Sequence, residues 1–225
     1  MQRFPFFILF LVSSSILSAT NGLIDDYYLG FSYSYAKWDD DYSENGPNIF
    51  SNFAVHPNIS IAAGLGYRNG KAESRNIVYQ GVQLSEQFDT DILSGALGIS
   101  LHNRFEPSEN LAIYPFIGLG ISANSVDLKY SVKNLFGYTS VGEQNWKQFR
   151  YSLALGTEFL INDLFVLSPA LSFQDYIDDD GAGGSSSFGW SLAGIFLFTE
   201  HFSSGLTLGG GDGYTTISLG TAIHF

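Results

Sequence analysis

Large and small residues alternate along the last twelve positions of the chain, YTTISLGTAIHF. Ile217, Leu219, Ile223 and Phe225 share one parity, while the other parity carries small residues such as Gly220. Because successive side chains of a β-strand point to opposite faces, this pattern predicts a strand with one bulky apolar face and one small, weakly polar face. Such a strand turns its bulky face either toward a soluble core or toward lipid.

The same alternation recurs along the chain and predicts an all-β fold. Ten segments show it: 27–38, 48–55, 59–68, 92–102, 111–124, 146–161, 164–176, 188–198, 203–210 and 214–225. Short turns between them alternate with longer polar connections, which we expect to be loops: 39–47, 69–86, 131–144 and 178–186. Short–long alternation is typical of a transmembrane antiparallel up-and-down β-barrel whose two termini lie in the periplasm. Ten strands are predicted, or eight if 48–55 and one other segment are not separate strands.

Composition narrows the class of protein. Charged residues are only 14% of the chain, aromatic residues reach 16%, and there are 25 glycines, a balance that indicates a surface not mainly exposed to water. The net charge of −12 argues against binding to nucleic acid. The chain has no cysteine, so an exported form must be stabilised without disulfides, and barrel closure is one way to do so.

The N-terminal residues resemble a secretory signal. Arg3 supplies the positive charge, residues 4–12 are apolar, and Ser18-Ala19 offers small side chains for cleavage. The apolar run is shorter than the roughly 18–20 residues that a spanning helix needs. We therefore predict a signal peptide at 1–19 and a barrel domain at 20–225.

The small face decides between lipid and a soluble core. In a soluble barrel or sandwich the face opposite the core would carry charged residues for water, yet here the strand centres place Gly, Ala and Ser there. That composition suits the inside of a narrow barrel, and the bulky face then meets hydrocarbon. A soluble ligand-binding barrel is the alternative. Aromatic residues near the strand ends match two interfacial girdles: Tyr33, Tyr35, Tyr67, Phe149, Tyr151 and Phe173 outside, and Phe159, Phe165, Phe196, Phe198 and Phe225 on the periplasmic side.

Leu219, Ile223 and the terminal Phe225 resemble the C-terminal strand signal of Gram-negative outer-membrane β-barrels. With the signal peptide and the barrel pattern, the chain resembles small barrels of the porin-like superfamily, such as the OmpA transmembrane domain, OmpX and OmpW. The resemblance implies a multi-pass monomer in the outer membrane. It also implies that the barrel-assembly machinery reads the last strand and that lipid and lipopolysaccharide surround the protein.

No catalytic, metal or cofactor site is predicted. The four histidines, His56, His102, His201 and His224, all fall at the predicted periplasmic end, whereas enzymes among small outer-membrane barrels generally place their sites near the outer rim. His224 could join the lumen-facing polar candidates, which are Arg68, Arg150, Glu158 and His102. The two arginines fit either a selectivity element or a buried polar plug, and aromatic residues are available to fill the lumen: Trp38, Tyr114, Phe116, Trp146 and Tyr176.

Acidic clusters near the outer end are interpreted as solvated surface rather than calcium sites, because no calcium-loop spacing occurs. They are Asp39–Asp41 with Glu44, then Glu86, Asp89 and Asp91, and finally Asp178–Asp180. Three roles remain: a non-enzymatic structural or surface-interaction barrel, a narrow passive channel for small solutes, and, last, an outer-membrane enzyme.

Overall fold

Extended strands account for almost all of the described chain. The computed structural model describes residues 24, 26–39, 42–79, 82–134, 139–179 and 186–225. The strands within them are β1 (Tyr28–Trp38), β2 (Tyr42–His56), β3 (Ile59–Tyr79), β4 (Val82–His102), β5 (Phe105–Ser108), β6 (Leu111–Asn134), β7 (Thr139–Ile161), β8 (Phe165–Asp179), β9 (Ser187–Thr199), β10 (Phe202–Gly211) and β11 (Tyr214–His224). In the described ranges, no helix has the length and apolar character needed to cross a membrane.

Ten of these strands close into an antiparallel barrel, which confirms the predicted fold class and strand number. Each long strand pairs with its neighbours in the chain, β4 pairs with β6, and β1 pairs with β11 to close the seam. The short strand β5 pairs only with β6 and belongs to the turn between β4 and β6. The segment 48–55, the weakest in the sequence, is part of the 15-residue strand β2, so the eight-strand alternative is wrong.

The two faces of the barrel follow the alternation of the sequence. Bulky residues such as Leu65, Leu97, Leu119, Leu171 and Leu219 are exposed on the outside and form an apolar band. Inward positions carry small or polar side chains, together with larger buried ones such as Ile92 and Tyr114 near the two ends of the lumen. Aromatic rings meet at both edges of the band, as in the Tyr151–Phe173 pair on one side and the Phe165–Phe196 pair on the other, with centroids 6.4 and 6.3 Å apart.

The long loops expected at 69–86 and 131–144 are wrong, since strands occupy most of both stretches. β3 and β4 remain paired as far as Tyr79 and Val82, and β6 and β7 as far as Lys133 and Thr139. The connection predicted at 39–47 is likewise short, because β2 begins at Tyr42. Beyond the membrane the outward face of a strand meets water instead of lipid, so polar residues replace the bulky apolar ones there and the large–small alternation fades although the backbone ladder continues.

These extensions form a four-stranded wall above the rest of the barrel, made of the outer parts of β3, β4, β6 and β7. On one flank, the pairing of β2 with β3 ends at Ala72. On the other, the pairing of β8 with β7 ends at Gln148. Residues 139–147 of β7 continue for about 30 Å of strand at roughly 3.3 Å per residue, paired with β6 on one side and with no described strand on the other.

Candidate functional site: the closed lumen

A buried ion pair lies in the outer half of the lumen, on the wall formed by β2 and β3. Glu44 of β2 and Arg68 of β3 point inward, and Arg68 Nη1 lies 2.5 Å from Glu44 Oε1. Their side chains are 0% and 4% exposed respectively. Removing charges from water is expensive unless they are paired, so each of these two groups depends on the other. The pair joins the neighbouring strands β2 and β3. The sequence predicts that Glu44 is a solvated carboxylate in a loop, and this prediction is wrong because Glu44 is buried.

Arg150 of β7 supplies a second buried cation at the same end of the lumen. Its Nη2 donates to Gln148 Oε1 at 3.0 Å and to the Tyr176 hydroxyl at 2.7 Å. The guanidinium also lies over the Tyr176 ring, 4.6 Å from the centroid. The guanidinium is therefore held by neutral hydrogen-bond acceptors and by the face of an aromatic ring.

An aromatic layer fills the outer mouth of the lumen. The Trp38 ring lies 5.2 Å from that of Tyr42 and stacks on that of Tyr214 at 5.8 Å. Tyr42 also shares a 2.6 Å hydrogen bond with Thr90. The remaining members of this cluster are Ala36, Ala72, Ile92 and Val126, with Phe88 and Trp146 packed against them. We call this layer, together with Glu44, Arg68 and Arg150, the outer plug.

Below the outer plug, small residues leave a cavity of about 70 Å³. Ser34, Ser168, Thr207 and Ser218 are among the residues that line it, and Ser34 donates a 3.0 Å hydrogen bond to Ser218. This is room for a few water molecules at most. Buried apolar clusters lie on both sides of this cavity: the outer plug toward the outside, and a cluster that includes Ile24 and Tyr114 toward the periplasm.

The periplasmic end of the lumen holds the other predicted polar candidates. His102 Nε2 lies 3.1 Å from Ser60 Oγ, and Glu158 accepts a 2.8 Å hydrogen bond from the main-chain N–H of Ile24. His224 contacts Asp26 through Nδ1 at 2.5 Å and Ser203 through Nε2 at 2.8 Å. Within the described residues, no three His, Cys, Asp or Glu side chains come together as metal ligands would.

The sequence analysis did not predict that Glu44 and Ile24 belong to this site. It also did not predict that Asp26 and Ser203 each contact His224. The parity that places Phe50 and Asn48 inward also reaches Glu44, so extending the alternation of β2 backward could have found that residue. Nothing in the sequence marks Ile24 or Asp26, since both precede the first strand. Asp40, Asp41 and Asp180, as well as the side chains of Asp178 and Asp179, lie outside the described residues.

Tyrosines at the outer edge of the apolar band contact polar side chains above it. Tyr67 donates a 2.5 Å hydrogen bond to Asp91, Tyr33 contacts Asn45, and Tyr151 contacts Asp175. The hydrogen bond from Tyr67, with another from Asn69, lowers the pKa of the Asp91 carboxyl from its ordinary value. Each ring thereby sits in the apolar band while its hydroxyl reaches the polar region, as an interfacial tyrosine should.

The barrel architecture agrees with the protein family that the sequence matches. A family model described as "Outer membrane protein beta-barrel domain" matches residues 6–180, which is more than half of the chain. The chain belongs to this family. As a member, it is an integral protein of the Gram-negative outer membrane that crosses the bilayer with β-strands, and the exposed apolar band is its lipid-facing surface. The predicted assembly residues Leu219, Ile223 and Phe225 are all exposed on that surface.

Solved structures with similar folds include three outer-membrane proteins. The translocator domain of the autotransporter NalP from Neisseria meningitidis is 12% identical, with a TM-score of 0.46 over 94% of this chain and 93% of that one. Ail, the attachment invasion locus protein of Yersinia pestis, is 12% identical, with a TM-score of 0.34 over 89% of this chain and 97% of that one. The outer-membrane protease OmpT from Escherichia coli is 11% identical, with a TM-score of 0.44 over 89% of this chain and 94% of that one. The comparison with curated protein sequences yields no match.

Proposed function

We propose that this family member is a non-enzymatic, non-conducting barrel whose role is structural and whose contacts are made at the cell surface. The observation that carries the proposal is the outer plug, in which aromatic rings and a buried ion pair pack together inside the outer mouth of the barrel. An ion entering from outside would have to pass the rings of Trp38 and Tyr42 and then the buried Glu44–Arg68 pair. Separating a buried pair leaves each charge uncompensated in a poorly hydrated space, which opposes steady conduction.

Planar-bilayer recording tests the closed lumen directly. The refolded chain lacking residues 1–19 is expected to insert without stepwise conductance, while a general porin prepared identically conducts. A heat-dependent shift in gel migration shows that the same sample contains folded barrel. Reproducible conductance steps from the folded sample would overturn the proposal.

The wall above the membrane supports a role in surface contact. Its outward face carries a row of alternating charges in register across four strands: Lys71 opposite Asp89, Asp89 opposite Lys129, and Lys129 opposite Glu143. Opposite charges on neighbouring strands stabilise the sheet. A paired, charged wall is a firmer contact surface than a mobile loop, since its side chains are already ordered before a partner arrives.

Lipopolysaccharide is the partner that we propose for the base of this wall. Lys147 and Lys129 are exposed on the outward face just above the apolar band, where phosphate groups of the lipid would lie. We expect K129Q/K147Q to weaken the stabilisation of the barrel by added lipopolysaccharide, most clearly at low salt. K133Q, nearer the tip of the wall, is the matched control and should leave that stabilisation unchanged. Equal stabilisation of all three proteins would count against this contact.

We also propose that the exposed face of β11 is read by the barrel-assembly machinery. Deletion of Phe225 should slow the appearance of folded barrel in cells, whereas F198A, an exposed aromatic on β9, should not. Equal rates of assembly for the two variants would contradict this assignment.

The absence of enzymatic activity is part of the proposal, although Ser203, His224 and Asp26 form a relay like that of serine hydrolases. Ser203 is fully buried, so a substrate carbonyl has no approach to its hydroxyl. Asp26, which would orient the histidine, belongs to the very segment that would have to move to admit substrate. We expect no hydrolysis of esters, peptides or lipid A; hydrolysis that S203A abolishes would overturn this part.

A narrow channel is the second candidate function, favoured by the cavity lined with Ser34, Ser168 and Thr207. Conductance steps in the recording described above would support it in place of a closed barrel.

A further inference from the structure

Ile24 and Asp26, which precede β1, lie at the periplasmic end of the lumen. Ile24 is buried and belongs to one apolar cluster with inward residues of the far wall, including Tyr114 of β6, Leu160 of β7, Val166 of β8 and Ile195 of β9. The segment leads into β1, so Ile24 reaches across the bore. We call Ile24, Asp26 and Tyr27 the crossbar.

Main-chain groups of the crossbar are held from both sides of the bore. Asn52 of β2 donates to the Ile24 carbonyl at 3.0 Å and to the Asp26 carbonyl at 2.8 Å. Ser60 of β3 also donates to the Ile24 carbonyl. From the opposite wall, Glu158 accepts the Ile24 N–H at 2.8 Å. Polar side chains of three strands thus satisfy the backbone of a segment that forms no strand of its own.

The crossbar is also tied to the C-terminal end of the chain. Asp26 Oδ2 lies 2.5 Å from His224 Nδ1, and the N–H of Phe225 donates to the Tyr27 carbonyl at 3.0 Å. Both contacts lie at the seam where β1 meets β11.

We propose that the crossbar is a latch that closes the cavity toward the periplasm and can open while the barrel stays folded. The inference rests on the proposed closed lumen and adds a second closure, separate from the outer plug. The ladders of β1 begin at Tyr28, after the crossbar, so its release breaks one main-chain hydrogen bond of the seam, from Phe225 to Tyr27, and leaves the ladders in place. Its single described apolar anchor is Ile24, and its other contacts are hydrogen bonds that water can replace. Asp26 is already 32% exposed.

Cysteine labelling tests the latch, because the chain has no cysteine of its own. S168C places a thiol in the cavity, two residues along β8 from Val166. With a small charged thiol reagent, we expect slow labelling of S168C in the otherwise unchanged barrel. Adding I24A/D26A should speed labelling at least tenfold while heat-modifiable migration persists. L164A/E200A, which alters two exposed residues of periplasmic turns, is the matched control and should leave the rate unchanged.

The outcomes separate failure of the latch from failure of the closed lumen. E200C, an exposed thiol at the same end, gives the rate of unhindered labelling. If S168C alone labels as fast as E200C, the lumen is open and both proposals fall. If S168C labels slowly with and without I24A/D26A, the lumen is closed but the crossbar is not its periplasmic seal. Should I24A/D26A not fold, N52A removes two hydrogen bonds to the crossbar without changing it, and an unchanged rate in N52A overturns the latch.

Discussion

His224 Nδ1 lies 2.5 Å from Asp26 Oδ2, joining residues 198 positions apart in the sequence. When a neutral His224 donates Nδ1–H to Asp26, its Nε2 accepts the Ser203 hydroxyl at 2.8 Å. The three residues come from the segment before β1, from β10 and from β11. The contact therefore fastens the two ends of the chain to each other at the seam of the barrel.

Loss of this contact should weaken the barrel without abolishing it. We expect H224Q to lower the free energy of unfolding by roughly 1–2 kcal/mol, because Ser203 and Asp26 lose a shared partner while Asp26 can still reach water. Urea unfolding in lipid vesicles measures the change. H201Q, in an exposed turn, is the control, and an equal effect of the two substitutions would show that the contact contributes nothing specific.

Two ion pairs of similar length should differ sharply in their importance. Arg68–Glu44 at 2.5 Å is buried, while Arg104–Glu106 at 2.6 Å has side chains 53% and 58% exposed. We expect E44Q to cost about 3–5 kcal/mol, since it removes one charge of a buried, hydrogen-bonded ion pair. E106Q should cost less than about 1 kcal/mol because water screens that pair. Similar costs in the same urea titration would contradict the buried-pair interpretation.

Close approach of β2 to β3 should make Gly46 intolerant of any side chain. A Cβ at this position would overlap the main-chain carbonyl oxygen of Tyr67, which cannot move without displacing β3. G46A is therefore expected to reduce the yield of folded barrel strongly, as judged by heat-modifiable migration. At Gly118, which also faces inward, the nearest atom to an added Cβ is 3.4 Å away, so G118A should fold normally. Normal folding of G46A would show that the strands separate easily here.

The outer girdle offers a test of the Tyr67–Asp91 hydrogen bond. Because this bond favours the ionised carboxylate, it lowers the pKa of Asp91 in the folded state. Its stabilising contribution is thus present above the unfolded pKa and is lost as the pH falls through the lowered folded pKa. Y67F should raise the pKa of Asp91 toward its ordinary value, measured by NMR of the labelled carboxyl. Y151F, whose hydroxyl contacts Asp175 instead, should leave the pKa of Asp91 unchanged.

Predictability from sequence differed between the outside and the inside of the barrel. Lipid imposes a simple rule on each outward residue, so Leu219 or Leu65 could be assigned to the outer face from its immediate neighbours. The wall escaped prediction because its outward residues, such as Lys129 and Glu143, are charged and exposed to water, so the apolar outward face that marks a membrane strand is lost there. Glu44 was missed for a different reason: Asp39–Asp41 before it resemble an acidic loop, although the inward parity of β2 reaches Glu44.

The sequence by itself determined the class of fold and which residues of the membrane strands face lipid, and it favoured ten strands over eight. These follow from a period of two residues, which is local information. Only the tertiary structure decided what fills the lumen. Contacts such as Ile24 with Glu158 and Asp26 with His224 join residues 134 and 198 positions apart, and they form only once barrel closure brings distant strands around one narrow space. Local patterns do not record which inward side chains meet there, because that depends on register and strand order across the whole barrel.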